Sequence, residues 1–214
     1  MSLLWILRLS ILGVLFLYNI FYRFLLKDRE KYGKYLENLT LNLIMVIIYN
    51  IFNYLAVMLP SDPNLIPNSI FSQNLVVISW HDLIGSILII MAVAIMILTL
   101  RMRKVLGAQD TGGKLLTSGL YGFCRHPIYF AISLISLGFS LTFNNLDGLL
   151  VVPIVICLNM MTGIIEQKYD MEIRFKEEYS EYKKEVRIFG PIWFWVILVL
   201  VISFPVLIFF FGGI

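Results

Sequence analysis

The chain has 214 residues, 59% of them hydrophobic and 14% charged, with a formal net charge of +3. So apolar a composition excludes an ordinary water-soluble globular domain. So small a net charge gives no footing for a nucleic-acid partner, and it is weak grounds for any other polyanion.

Several stretches reach the eighteen or so apolar residues that a helix needs to cross about 30 Å of hydrocarbon. Residues 3–22 form the first. They are too long for a signal peptide, lack a small-residue cleavage site and run straight into charged residues, so a retained span is expected. A charged juncture, KDREKYGKYLEN, leads to a second apolar segment at 39–59 that ends at Pro60. Pro60, Pro63 and Pro67, with several Asn and Ser, then mark a loop over 60–82. A third span is expected at 83–100, with Trp80 and His81 near its outer end as interfacial anchors, and His81 is assigned no chemistry.

Residues 101–125 are polar and glycine-bearing, and the chain re-enters the membrane at Pro127. Proline at a first helical position loses no hydrogen bond, so His126-Pro127 predicts a helix start. An apolar arm at 128–143, a turn at 144–148 and a return arm at 149–165 make an antiparallel hairpin. A charge-rich amphipathic helix comes next, on which Glu177, Glu178, Glu181, Lys183 and Lys184 read as a solvated face. A last span is expected at 192–211, after Pro191. The fold class expected is all-α: a polytopic bundle of six spans plus a cytoplasmic amphipathic helix, divided into amino-terminal spans (1–100), a core with the hairpin (101–191) and a carboxyl-terminal span (192–214).

Lys and Arg cluster at 23–34, 101–125 and 168–187, whereas 59–82 has none. The positive-inside rule then places the three basic stretches in the cytoplasm, 59–82 outside and, if every crossing is complete, both termini outside. Arg8 alone does not fit this pattern. Cys124 and Cys157 have neither metal-ligand spacing nor a disulfide framework around them, and no metal site is expected. There is no internal repeat of the kind from which many transporters are built.

The stretch 114–129 reads KLLTSGLYGFCRHPIY. It resembles the signature of the isoprenylcysteine carboxyl methyltransferase and phospholipid methyltransferase superfamily, a Leu-Val-Thr-x-Gly-x-Tyr segment followed by Arg-His-Pro-x-Tyr. That family also carries an acidic position at the end of the hairpin's return helix and then Phe-x-x-x-Tyr-x-x-Tyr, supplied here by Glu166, Phe175, Tyr179 and Tyr182. The resemblance covers about 106–191. It implies an enzyme that transfers a methyl group from S-adenosylmethionine to a membrane lipid or a lipid-linked acceptor, with Lys114, Leu115, Leu116, Tyr121, His126, Pro127, Ile128, Tyr129 and Glu166 at the cofactor and Gln109 as a further candidate.

The residues suit that chemistry on their own terms. Asn159, Gly163 and Glu166 fall on one helical face, and an ionisable group at such depth is costly and usually functional. The Glu166 carboxylate is suited to the donor's ammonium or sulfonium, or to a proton of an acceptor amine; the alternative is a surface charge paired with Lys168. Arg125 offers a planar, bidentate grip on a carboxylate or phosphate, or is one more cytoplasmic charge. His126 either orients the cofactor or caps a helix, and Tyr121 and Tyr129 present rings to adenine or sulfonium or are ordinary interfacial tyrosines.

Three departures from the family pattern stand out. The phospholipid enzymes carry two adjacent glutamates where this chain has Glu166 and Gln167, which makes Gln167 a second candidate contact. The prenylcysteine enzymes carry an arginine one turn earlier, where this chain has Thr162 and Gly163, so a carboxylate acceptor needs Arg125 or Arg174 in its place. The glycine after Arg-His-Pro-x-Tyr is Ala131. Two rival readings are a sterol-reductase-type membrane enzyme using a reduced nicotinamide dinucleotide, and a non-catalytic scaffold or small transporter.

Overall fold

The computed structural model describes residues 3–60, 80–103, 114–143 and 145–200. Most of the expected external loop, the candidate Gln109 and the end of the last expected span lie outside them. Every regular element among the described residues is helical: α1 (Leu3–Lys27), α2 (Arg29–Leu36), α3 (Leu39–Met58), α4 (Trp80–Arg103), the single turn α5 (Leu120–Phe123), α6 (Pro127–Thr142), α7 (Leu146–Glu166), a π-helical turn (Gln167–Met171) and α8 (Glu172–Glu185). A further helix, α9, occupies 192–200.

Four of these are long and apolar enough to cross a membrane: α1, α3, most of α4 and the rod that α7 begins, while α6 is a shorter apolar helix. The chain is a polytopic helical membrane protein, as its composition requires.

α6 lies at the centre. Its 16 residues include a nearly continuous buried run from Phe130 to Gly138, and a helix apolar on all sides belongs inside a bundle. α4 packs against it almost backbone to backbone. A Cβ on Gly85 would meet the Gly138 carbonyl at 2.7 Å, and one on Gly138 would meet the Gly85 carbonyl at 2.8 Å, so only paired glycines allow this approach. α3 packs on α6 from another side, and α3 and α4 share no packed interface among the described residues.

α1 runs past its expected end at 22 to Lys27, because Tyr22, Leu25 and Leu26 continue its buried stripe. The charged juncture folds as α2, which buries Leu36, and the Asn38 side chain then caps α3 by accepting the Leu41 N–H at 3.0 Å. The return arm begins at Leu146, inside the expected turn, with Asn145 as its cap.

Arg8, which fitted no pattern in the sequence, is fully buried at the hairpin-turn end of the bundle. α3 stops there because Pro60 has no N–H to offer the Ala56 carbonyl, and the carbonyls of a final helical turn lack partners anyway. Arg8 Nε donates to the Ala56 carbonyl at 3.2 Å, and Asn145 Nδ2 donates to that of Val57 at 2.8 Å. The remaining Arg8 nitrogens reach Asp147 Oδ2 at 3.1 Å, Asn145 Oδ1 at 3.2 Å and the Leu59 carbonyl. One guanidinium thus joins α1, the end of α3 and the start of α7.

A second polar network crosses the middle of the bundle. Tyr49 donates to Asn159 Oδ1 at 2.5 Å and lies 2.9 Å from Thr162 Oγ1, Asn159 Nδ2 donates to Ser133 at 3.0 Å, and Thr162 donates to Asn19 Oδ1 at 2.7 Å. Asn159, the first member of the expected Asn159–Gly163–Glu166 stripe, is therefore occupied in joining α3, α6 and α7.

Candidate functional site

The Arg-His-Pro segment is extended before it becomes helical. Arg125 N–H donates to the Arg187 carbonyl at 3.0 Å and His126 N–H to that of Ile188 at 3.3 Å, so the strip after α8 pins the entry to α6. Tyr182 adds a hydroxyl donated to the Tyr121 carbonyl at 2.6 Å, tying α8 to α5. The Phe-x-x-x-Tyr-x-x-Tyr and Arg-His-Pro-x-Tyr elements are one substructure, though some fifty residues separate them.

Pro127 opens α6 and turns the His126 ring toward α7, where it lies against Gly163. A Cβ at that glycine would come within 3.0 Å of His126 Cγ and 3.1 Å of Cδ2. The imidazole thus occupies the space that a side chain at 163 would need. Gly163→Ala is expected to displace the ring by a few tenths of an ångström, leaving the melting temperature unchanged and weakening ligand binding roughly threefold to tenfold, as titration of the purified variant would show.

Glu166 is 4% exposed, and its Oε2 lies 3.6 Å from His126 Nδ1, within ion-pair reach but long for a hydrogen bond. Tyr129 and Arg103 act on the same carboxylate. His126 Nε2 and Arg125 Nε are buried without a hydrogen-bond partner among the described residues. Burial pushes the Tyr121 phenol up to about 12, which keeps it a neutral donor at physiological pH. Burial likewise raises the Cys124 thiol to about 12, so it is no nucleophile.

Cys124 apart, these groups line one cavity enclosing about 1230 Å³ of empty space, its open mouth included. Lys114, Leu115, Leu116, Tyr121, Arg125, His126, Pro127, Ile128, Tyr129 and Glu166 all line it. Gln167 is off the lining: its Oε1 accepts from Arg125 at 2.6 Å and its amide donates to Glu172 at 3.1 Å, so it holds the arginine in place. Arg174 is also elsewhere, bound to Asp170 at 2.9 Å.

The sequence reading missed the other wall. Tyr18 and Tyr22 of α1, Asn42, Tyr49 and Asn50 of α3, and Met96, Leu100 and Arg103 of α4 line the same space. Tyr18 stacks on Tyr22 with ring centroids 5.9 Å apart and approaches Tyr49 at 4.7 Å, and Tyr49 meets Tyr129 edge-on at 6.4 Å. A signal was present in α3, where the buried Asn42, Tyr49 and Asn53 recur at i, i+7 and i+11 and draw a polar stripe through an apolar span.

The residues fit a zwitterionic, partly aromatic ligand such as S-adenosylmethionine. The lining offers a buried carboxylate to a cation, unpartnered Arg125 and His126 nitrogens to a carboxylate or ring nitrogen, and tyrosine faces to adenine or sulfonium. Comparison with curated proteins finds no match, and comparison with solved structures finds none. A family of unknown function, DUF1295, matches residues 1–186, which contain every lining residue of the cavity, motif and spans alike. The chain belongs to the DUF1295 family.

Proposed function

We propose that this protein transfers a methyl group from S-adenosylmethionine to a membrane lipid or lipid-linked acceptor. One observation carries the reading: a signature resembling that of membrane methyltransferases lines one cavity with residues of three bilayer-spanning helices. Water-borne cofactor and membrane-borne acceptor would meet there.

S-adenosylmethionine, when bound, supplies a methyl group already activated by a sulfonium. The protein's part is then to position and to exclude water. Glu166, backed by His126 and Tyr129, would hold the donor's positive end, and Arg125 and His126 Nε2 its carboxylate or adenine. Gln167 would keep Arg125 aimed. The acceptor would reach the cavity from the bilayer along α3 and α4, which both contribute to the wall. The positive-inside distribution of the basic stretches supports a cytoplasmic donor side.

Calorimetry on the detergent-purified chain tests this reading. Micromolar binding of S-adenosylmethionine, and none of reduced nicotinamide dinucleotide, is the expected result. Binding of the dinucleotide alone would replace this reading with that of a reductase, and binding of neither, with or without lipid, would leave a scaffold or transporter.

A further inference from the structure

α8 is broken at Lys176, where the backbone turns to φ +43° and ψ −115°. That is the corner of a type II′ turn, a left-handed conformation that glycine takes freely and that strains any residue with a side chain. The break folds the second half of α8 back on the first. Lys183 Nζ reaches Glu172 Oε1 at 2.7 Å, although a straight helix would set these two residues about 16 Å apart. Glu172 also accepts from the Gln167 amide at 3.1 Å, and Gln167 accepts from Arg125 at 2.6 Å. One chain of contacts, Arg125–Gln167–Glu172–Lys183, thus sets both Arg125 and the returning half of α8.

That half brings two tyrosines to the cavity, and their hydroxyls differ. Tyr182 donates to the Tyr121 carbonyl at 2.6 Å. The Tyr179 hydroxyl is buried with no hydrogen-bond partner among the described residues. Arg125, whose Nε is likewise unmet, stands close enough to act on that phenol, as does Glu166. Backbone strain that delivers a buried, unsatisfied hydroxyl costs the fold twice, and such strain gathers where a ligand is gripped.

We propose that the Tyr179 hydroxyl and the Arg125 guanidinium form a carboxylate site, and that it takes the carboxylate at the methionine end of the methyl donor. The inference rests on the methyl-donor reading and gives that ligand an orientation. A carboxylate only accepts hydrogen bonds and can take several at once, which a phenol O–H beside a guanidinium edge supplies. The donor's ammonium shares a carbon with its carboxylate, so Glu166 and this pair meet neighbouring groups of one molecule.

The purified full chain is titrated calorimetrically with S-adenosylmethionine and with its decarboxylated analogue, which keeps the sulfonium, the amine and the adenosine. The wild type is expected to bind the complete donor at least about tenfold more tightly. Tyr179→Phe removes the hydroxyl and nothing else. It should weaken the complete donor about tenfold and leave the analogue within about twofold. The melting temperature of the ligand-free variant should be unchanged or higher, because no hydrogen bond is lost. Tyr182→Phe should lower it, since its hydroxyl has a partner to lose. Equal binding of the two compounds by the wild type would overturn the carboxylate site and spare the methyl-donor reading, and binding of neither would remove both. A Tyr179→Phe variant that loses both compounds alike, or melts as low as Tyr182→Phe, would make Tyr179 a structural residue and overturn the proposal.

Discussion

Arg8→Ala is expected to lower the stability of the folded protein by about 3–5 kcal/mol, the usual cost of leaving one member of a buried ion pair alone. The loss has two parts. Asp147, fully buried, is left without its guanidinium, and the Ala56 carbonyl, which Pro60 cannot serve, loses its donor. Thermal unfolding in detergent would show a large fall in melting temperature for Arg8→Ala. A double variant, Arg8→Met with Asp147→Leu, should recover the first part and not the second, because the helix-end carbonyl is still unmet. A single variant as stable as wild type would mean that water or lipid reaches these groups. Donor affinity in the surviving folded fraction should be unaltered, since Arg8 does not line the cavity.

Glu166→Gln should have the opposite profile. The amide keeps the carboxylate's shape and can still meet His126, so the fold survives, but the negative charge of the cavity is gone. Affinity for the cationic donor should fall by about 2–4 kcal/mol, roughly 30-fold to 1000-fold, as expected when one partner of a desolvated charge pair is removed. His126→Ala should lose affinity in the same calorimetric titration, with a further penalty from the void left beside Gly163. Gln167→Ala should be milder, about tenfold at most, because it frees Arg125 without removing a lining group. Equal effects of Glu166→Gln and Gln167→Ala would show that the adjacent amide, not the carboxylate, serves the ligand.

Much of the bundle was legible because spans announce themselves by length and apolarity. What escaped was the role of single polar residues within them. Arg8 stood out only as an exception to the charge pattern, since its partners Ala56, Leu59, Asn145 and Asp147 are scattered along the chain and converge only when α1, α3 and the hairpin pack. The motif residues came together because their spacing encodes a local structure, an extended strip ending in a proline-led helix. The amino-terminal wall of the cavity is tertiary in origin. Arg103 read as one more positive-inside charge, and nothing local separates it from the exposed Arg101 two residues earlier; the close glycine contact of α4 with α6 sets which of the two faces inward.

The π-helical turn after Glu166 makes chain length itself a functional quantity. A π turn holds one more residue than an α turn would, and each residue added to a helix rotates the remainder of that helix by about 100°. Gln167–Met171 sets the phase in which Phe175 returns to the cavity that Glu166 faces, while Asp170 looks away to Arg29 and Arg174; a break in α8 at Lys176 (φ +43°) then re-aims the chain toward Tyr179 and Tyr182. A single-codon deletion here would re-register the helix as far as its break at Lys176 and carry Phe175 off the cavity wall. Within the family, the count of residues between the glutamate and the phenylalanine at 175 should therefore hold constant even where their identities drift, and a relative that breaks the count should have abandoned the shared pocket.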